Sequence, residues 1–384
     1  MSLSRRQFVQ TLSAGAAGAW IGARGREASI FGGLEGLHAQ GDPLILASNE
    51  NPLGPGQAVL NAVRGSFSEA GRYPFATAAD VTRAIAESHK LKPQNVLIGS
   101  GSTQILRTST HVFTSKTRPL VACIPAYEEC ADYARLMGHP ISTVALTPGS
   151  LTMDLDALLG ASKGGGLVFY CNPNNPVATG VDAKGTRDFI TALLKASPDT
   201  TILVDEAYFE YATMPGYETM IPLAVDNPRV VVARTFSKAY GMAGLRLGYA
   251  VGHPDAIKKM GDWDGNGTVS VLALAAGMVA ATQDPSIIAA ESRRNTEARS
   301  FTAKWFSDRG YTPTDSQTNF LFVDIKRPCR EFREACAKHG VMVGRDFPPY
   351  EKSHCRISIS TLADMQRAVQ VFEKVLAQPS AAAA

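Results

Sequence analysis

Three short apolar runs of this chain end in reactive side chains. Thr201 to Val204 leads into Asp205, Glu206, Ala207 and Tyr208. Val230 to Ala233 leads into Arg234, Thr235, Phe236, Ser237 and Lys238, then into a glycine-studded stretch that holds Gly241, Gly244 and Arg246. Leu167 to Cys171 leads into Asn172, Pro173, Asn174, Asn175 and Pro176. In an open α/β sheet, ligand-binding groups gather outside the carboxyl ends of the strands. A lysine, an acid and a rigid Asn/Pro turn at neighbouring strand ends are what an aldehyde cofactor with a pyridine ring needs. The amine forms a Schiff base, the acid pairs with the protonated ring nitrogen, and hydroxyl and amide donors fix the ring oxygen. A phosphate needs amides at a helix start plus a cation, and Gly99 to Thr103 opens a helix after a strand, with Arg246, Ser237 and Thr235 to add charge and hydroxyls.

The elements that must position these groups follow from periodicity. Short apolar runs at Val96 to Ile98, Leu120 to Cys123, Ile141 to Ala145, Leu167 to Cys171, Thr201 to Val204, Val230 to Ala233 and Leu247 to Val251 predict strands, and most are continuous, which implies burial on both faces. Helical spacing occupies Ala79 to His89, Ser102 to Val112, Glu128 to Met137, Lys184 to Ala196 and Val269 to Ala281. The expected fold class is α/β, a mostly parallel sheet flanked by helices, with a smaller α+β domain. Asp284 and Pro285 read as an interruption before a long polar-periodic segment, Ile287 to Arg309. Asn319 to Asp324 and Cys355 to Ser360 alternate like half-exposed strands, with helices at Cys329 to Lys338 and Leu362 to Leu376. The expected organisation is a large domain at 76–290, a small domain built from 40–75 with 291–376, and a disordered tail at 377–384.

Residues 1–39 are different material, with 7 of the chain's 34 glycines, no Lys and no Asp. Arg5 and Arg6 in S-R-R-x-F precede a weakly apolar Ala/Gly/Ser stretch, the pattern of a twin-arginine export leader. It implies the twin-arginine export machinery as a partner and a periplasmic or secreted destination. The net charge of +3 is too small to point to nucleic acid, 8% aromatic content with ample aliphatics excludes a disordered chain, and stable membrane insertion is not expected. Six cysteines without C-x-x-C spacing form no zinc pattern and read best as buried free thiols; no metal is expected.

D-E-A-Y-F-E-Y at 205–211, T-F-S-K-A-Y-G-M-A-G-L-R-L-G-Y at 235–249, N-P-N-N-P at 172–176, A-S-N-E-N-P-L-G-P at 47–55 and R-Y-P at 72–74 resemble the pyridoxal-phosphate aminotransferases of fold type I. Within these the chain is most similar to the histidinol-phosphate aminotransferase family. The resemblance implies pyridoxal 5′-phosphate as cofactor and assigns roles by position. Lys238 would carry the cofactor covalently and shuttle the proton, Asp205 would hold the ring nitrogen's proton, and Asn175 and Tyr208 would bond the ring's phenolic oxygen. Tyr127 would stack on the ring, and Ser102, Thr103, Thr235, Ser237 and Arg246 would grip the phosphate. Tyr73 would reach the phosphate in the partner subunit of a homodimer, Arg356 would clamp the substrate carboxylate, and Arg345 could serve the substrate's distal end.

Two departures bear on substrate. Leu53 stands where histidinol-phosphate enzymes often carry a tyrosine, and Gly344 looks inserted before Arg345. Val177 and Ala178 follow Pro176 where the family commonly has Thr-Gly. The expected activity is transfer of an amino group between an amino acid, aromatic or otherwise apolar, and a 2-oxo acid. Racemisation, decarboxylation or elimination on the same site is the enzymatic alternative, and an inactive exported binding protein is the other.

Overall fold

The computed structural model describes residues 43–264 and 269–379. The expected export leader, residues 265–268, and residues 380–384 of the tail lie outside the described residues.

Twelve strands are described: β1 (Leu44–Leu46), β2 (Val96–Gly99), β3 (Leu120–Ile124), β4 (Ile141–Ala145), β5 (Leu167–Cys171), β6 (Thr201–Asp205), β7 (Val230–Thr235), β8 (Gly248–Gly252), β9 (Thr312–Pro313), β10 (Phe320–Asp324), β11 (Val341–Val343) and β12 (His354–Ser358). Seven form one sheet in the order β2-β8-β7-β6-β5-β3-β4, parallel except for β8, which runs antiparallel to both neighbours. Alternate residues of the inner strands enter opposite cores: Val168 and Tyr170 pack on one face, Leu167, Phe169 and Cys171 on the other, whereas edge strand β4 is part-exposed, which corrects the expected two-faced burial of Ile141 to Ala145. That two-sided burial is why the strands are apolar without interruption. Helices Ser102–Phe113, Glu129–Leu136 and Pro254–Asp264 cover one face, and Ala183–Ala196 and Val271–Thr282 are among those covering the other.

A further core joins parallel β1-β11, antiparallel β12-β10-β9, and helices Pro285–Ser307, Cys329–Lys338 and Leu362–Leu376. The expected interruption falls between helices Val271–Thr282 and Pro285–Ser307, and Asp284 and Pro285 start the second of them. The Asp284 carboxylate accepts from the Ser286 amide, and Pro285 occupies a first-turn position where no N–H is needed. The expectation of half-exposed strands is corrected. Leu321, Val323, Cys355 and Ile357 fill this second core, while Phe322 enters the main core and Phe320 packs edge-on against Tyr208 at 5.2 Å. The polar residues that produced the alternation, Arg356 and Ser358, are buried, Arg356 in the wall of the cavity described below, and are not turned to solvent.

Candidate active site

Parallel β3, β5, β6 and β7 bring their carboxyl ends to one edge, and register places Cys171 opposite Asp205 and Asp205 opposite Ala233. Outside that edge lies a cavity of about 260 Å³. It is lined by Asp205, Tyr208, Thr235, Ser237, Lys238, Arg246, Asn175, Ser102, Thr103, Tyr127, Arg356 and Arg345. Every site residue expected from sequence is therefore gathered there except Tyr73. Tyr73 lies outside the cavity, 84% exposed and stacked on Phe75 at 5.6 Å.

At the floor, the Asp205 carboxylate is 3% exposed and accepts from the Ala207 amide at 3.2 Å. Burial pushes its pKa up to about 7, against the pull of that amide and of Lys238. Burial, with Arg356 and Arg246 nearby, lowers the Lys238 ammonium to about 8, and its Nζ donates to the Ser48 carbonyl at 3.3 Å. Behind Asp205, Glu206 is buried rather than solvated. Its carboxylate accepts from Arg234 at 2.8 Å, Thr219 Oγ1 at 2.8 Å and the Met220 amide at 2.7 Å. Glu210 joins the same guanidinium at 3.2 Å.

Two polar side chains are oriented by neighbours so that their donors remain for the cavity. Asn49 Nδ2 donates to Tyr208 Oη at 3.1 Å, which leaves the phenol its own O–H to give, and burial keeps that proton on by pushing the phenol up. Arg356 Nη1 donates to Asn175 Oδ1 at 2.7 Å, which leaves the Asn175 amide nitrogen as the donor. Arg356 Nη2 donates to the Ala47 carbonyl at 2.7 Å, and its buried Nε has no partner. A buried guanidinium at the wall of a cavity, with one of its nitrogens unpaired, leaves positive charge that favours an anion there.

At the opposite end the helix Ser102–Phe113 begins at Gly101, whose φ of 74° is glycine territory and which offers no side-chain cap. Ser102 and Thr103 thus open the helix at the cavity wall. Arg246 Nη1 donates to Ser237 Oγ at 3.2 Å and Nη2 to Thr103 Oγ1 at 3.4 Å, so one cation ties the helix start to the loop after β7. A Cβ on Gly101 would lie 2.2 Å from Arg246 Nη2. The space at Gly101 is the guanidinium's seat.

The sequence profile of aminotransferase class I and II matches residues 42–372. The chain belongs to the class I and II aminotransferases. It is 33% identical to a histidinol-phosphate aminotransferase of Symbiobacterium thermophilum, over 89% of this chain and 92% of that one. A histidinol-phosphate aminotransferase of Moorella thermoacetica is 30% identical over 88% and 86%. The solved histidinol-phosphate aminotransferase of Sinorhizobium meliloti, in complex with pyridoxal-5′-phosphate, superposes with a TM-score of 0.79 at 26% identity, covering 87% and 91%. Aminotransferases of this class use pyridoxal phosphate, and the donor set fits it. One amine, one buried carboxylate held near its protonated form, a hydroxyl–guanidinium cluster at a helix start and a second, incompletely paired guanidinium are all present in one cavity.

Sequence reasoning missed Ser48, Asn49, Glu50 and Glu128, which also line the cavity. Asn49 sits at a φ of 57° with its amide donating to Ser358 Oγ at 2.8 Å. The N-E-N-P motif of this aminotransferase carried the signal. Arg345 does reach the cavity, where its Nη2 donates to Glu128 Oε1 at 2.7 Å. Gly344 is what lets β11 end so close to β12, because a Cβ there would meet the Arg356 carbonyl oxygen at 2.6 Å. Among the described residues no His/Cys/Asp/Glu group is placed to hold a metal ion, and all six cysteines are buried and free.

Proposed function

We propose that this aminotransferase works as an exported homodimer that moves an amino group between an amino acid with an aromatic or apolar side chain and a 2-oxo acid. The observation that carries the reading is the convergence of Lys238, Asp205 and Arg356 on one cavity at the carboxyl edge of the sheet. Pyridoxal phosphate, when bound, supplies an aldehyde for the amino group and a ring that withdraws electrons from the substrate carbon. Arg246, Thr235, Ser237, Ser102 and Thr103 bind its phosphate. Tyr127 packs on the ring, Asp205 keeps a proton on the ring nitrogen, and Tyr208 and Asn175 donate to the ring oxygen. Arg356, a buried cation in the cavity wall, binds the substrate carboxylate, and through Asn175 the same guanidinium orients a ring contact. Lys238, whose ammonium is lowered to about 8 and so loses its proton readily, would as the neutral amine take the proton from the substrate Cα and give it up again on the cofactor side.

Two features lead away from a phosphorylated side chain. Leu53 offers no hydrogen bond, and Arg345 is already engaged by Glu128. Adding an amino acid to the cofactor-loaded enzyme should shift the cofactor's visible absorbance and release a 2-oxo acid. Lys238→Ala should abolish both, and product formation by that variant would overturn the assignment. The twin-arginine leader supports export, and the exposed Phe67, Tyr73 and Phe75 support a second copy placed so that Tyr73 reaches its partner's cofactor.

A further inference from the structure

Glu128 and Arg345 come from elements 217 residues apart and meet across the cavity. Glu128 follows Tyr127 after β3, and Arg345 follows β11 in the other core. Arg345 Nη1 is also taken, by the Asp346 carbonyl at 3.1 Å, and its guanidinium lies 4.3 Å over the Phe347 ring. The charged groups lining the cavity are Lys238, Arg246, Arg345 and Arg356 against Asp205, Glu50 and Glu128. On the functional reading above, Arg246 answers the phosphate, Asp205 the ring nitrogen, Lys238 the aldehyde and Arg356 the substrate carboxylate. Arg345 then remains for the substrate's far end, held by the Glu128 carboxylate.

We infer that Glu128 sets the charge accepted there: by holding Arg345 it excludes amino acids whose side chain ends in a phosphate or carboxylate and admits uncharged ones. An incoming anion must separate the pair and leave Glu128 beside it without a cation, which is selectivity by repulsion. Both partners are partly solvent-exposed, so the discrimination is moderate rather than absolute.

The inference rests on the proposed carboxylate clamp, and the test separates the two. Calorimetric titration of the cofactor-loaded enzyme with 3-phenylpropionate and with adipate measures binding of one and two carboxylates without turnover, since neither carries an amino group. The wild type should bind phenylpropionate more tightly. Glu128→Gln should shift the affinity ratio toward adipate by about tenfold, and the shift should vanish when Arg345→Gln is added. A ratio moved less than about twofold, or a shift that persists without Arg345, overturns the role of Glu128. Binding of neither ligand by any variant overturns the clamp itself, and the inference with it.

Discussion

Asp205 is costly to the empty protein. Its carboxyl has about 7 in the folded chain against 3.8 ordinarily, because burial disfavours the ion. A group raised on folding contributes stability that is present below its unfolded value and lost as pH climbs through the folded one. The apoenzyme should therefore weaken between about pH 4 and 7. Asp205→Asn should relieve this and raise apoenzyme stability at pH 8 by about 1–3 kcal/mol, read from urea unfolding, while transamination falls by at least about a hundredfold. A variant that is no more stable at pH 8 than the wild type would show that the burial cost is met elsewhere. On the proposed reading, the same acid becomes a gain once a protonated ring nitrogen lies against it. Arg356 follows the same logic, a buried cation with one nitrogen unpaired.

At the scale of elements, the phosphate end depends on how closely the helix Ser102–Phe113 approaches the loop after β7. Gly101→Ala would force a left-handed backbone, at about 1–2 kcal/mol, and drive its Cβ into the Arg246 guanidinium. Cofactor affinity, followed by fluorescence titration, should fall by more than about tenfold with the fold retained; affinity within twofold of wild type would mean Arg246 is not seated by that gap. Strand ends were legible from sequence because strands buried on both faces leave no ambiguity about where polarity begins, as at Val204–Asp205. Short helices such as Leu155–Ala161 and Ile221–Asp226 are too brief for a period to register. The polarity of Arg356 and Ser358 misled for a physical reason: an inward-facing site and an outward-facing surface make the same pattern along a strand. The partnership of Glu128 with Arg345 was illegible because nothing local links residues that only the tertiary fold brings together.

For the whole molecule, the exposed Phe67, Tyr73 and Phe75 form apolar surface on a segment that supplies nothing to its own chain's cavity. Fractionation of cells making the full chain should recover it outside the cytoplasmic membrane, with the mass of two chains and bound cofactor. Arg5→Lys with Arg6→Lys should hold it inside. A single-chain mass would dispose of the dimer, and unchanged fractionation of the doubly substituted chain would dispose of twin-arginine export. The six thiols, shut inside three of the cores at Cys123, Cys130, Cys171, Cys329, Cys336 and Cys355, give the molecule a built-in clock. An alkylating reagent meets them only as fast as the surrounding core opens, so the rate of labelling at each position ranks the local unfolding of the sheet against that of the smaller core without any added probe.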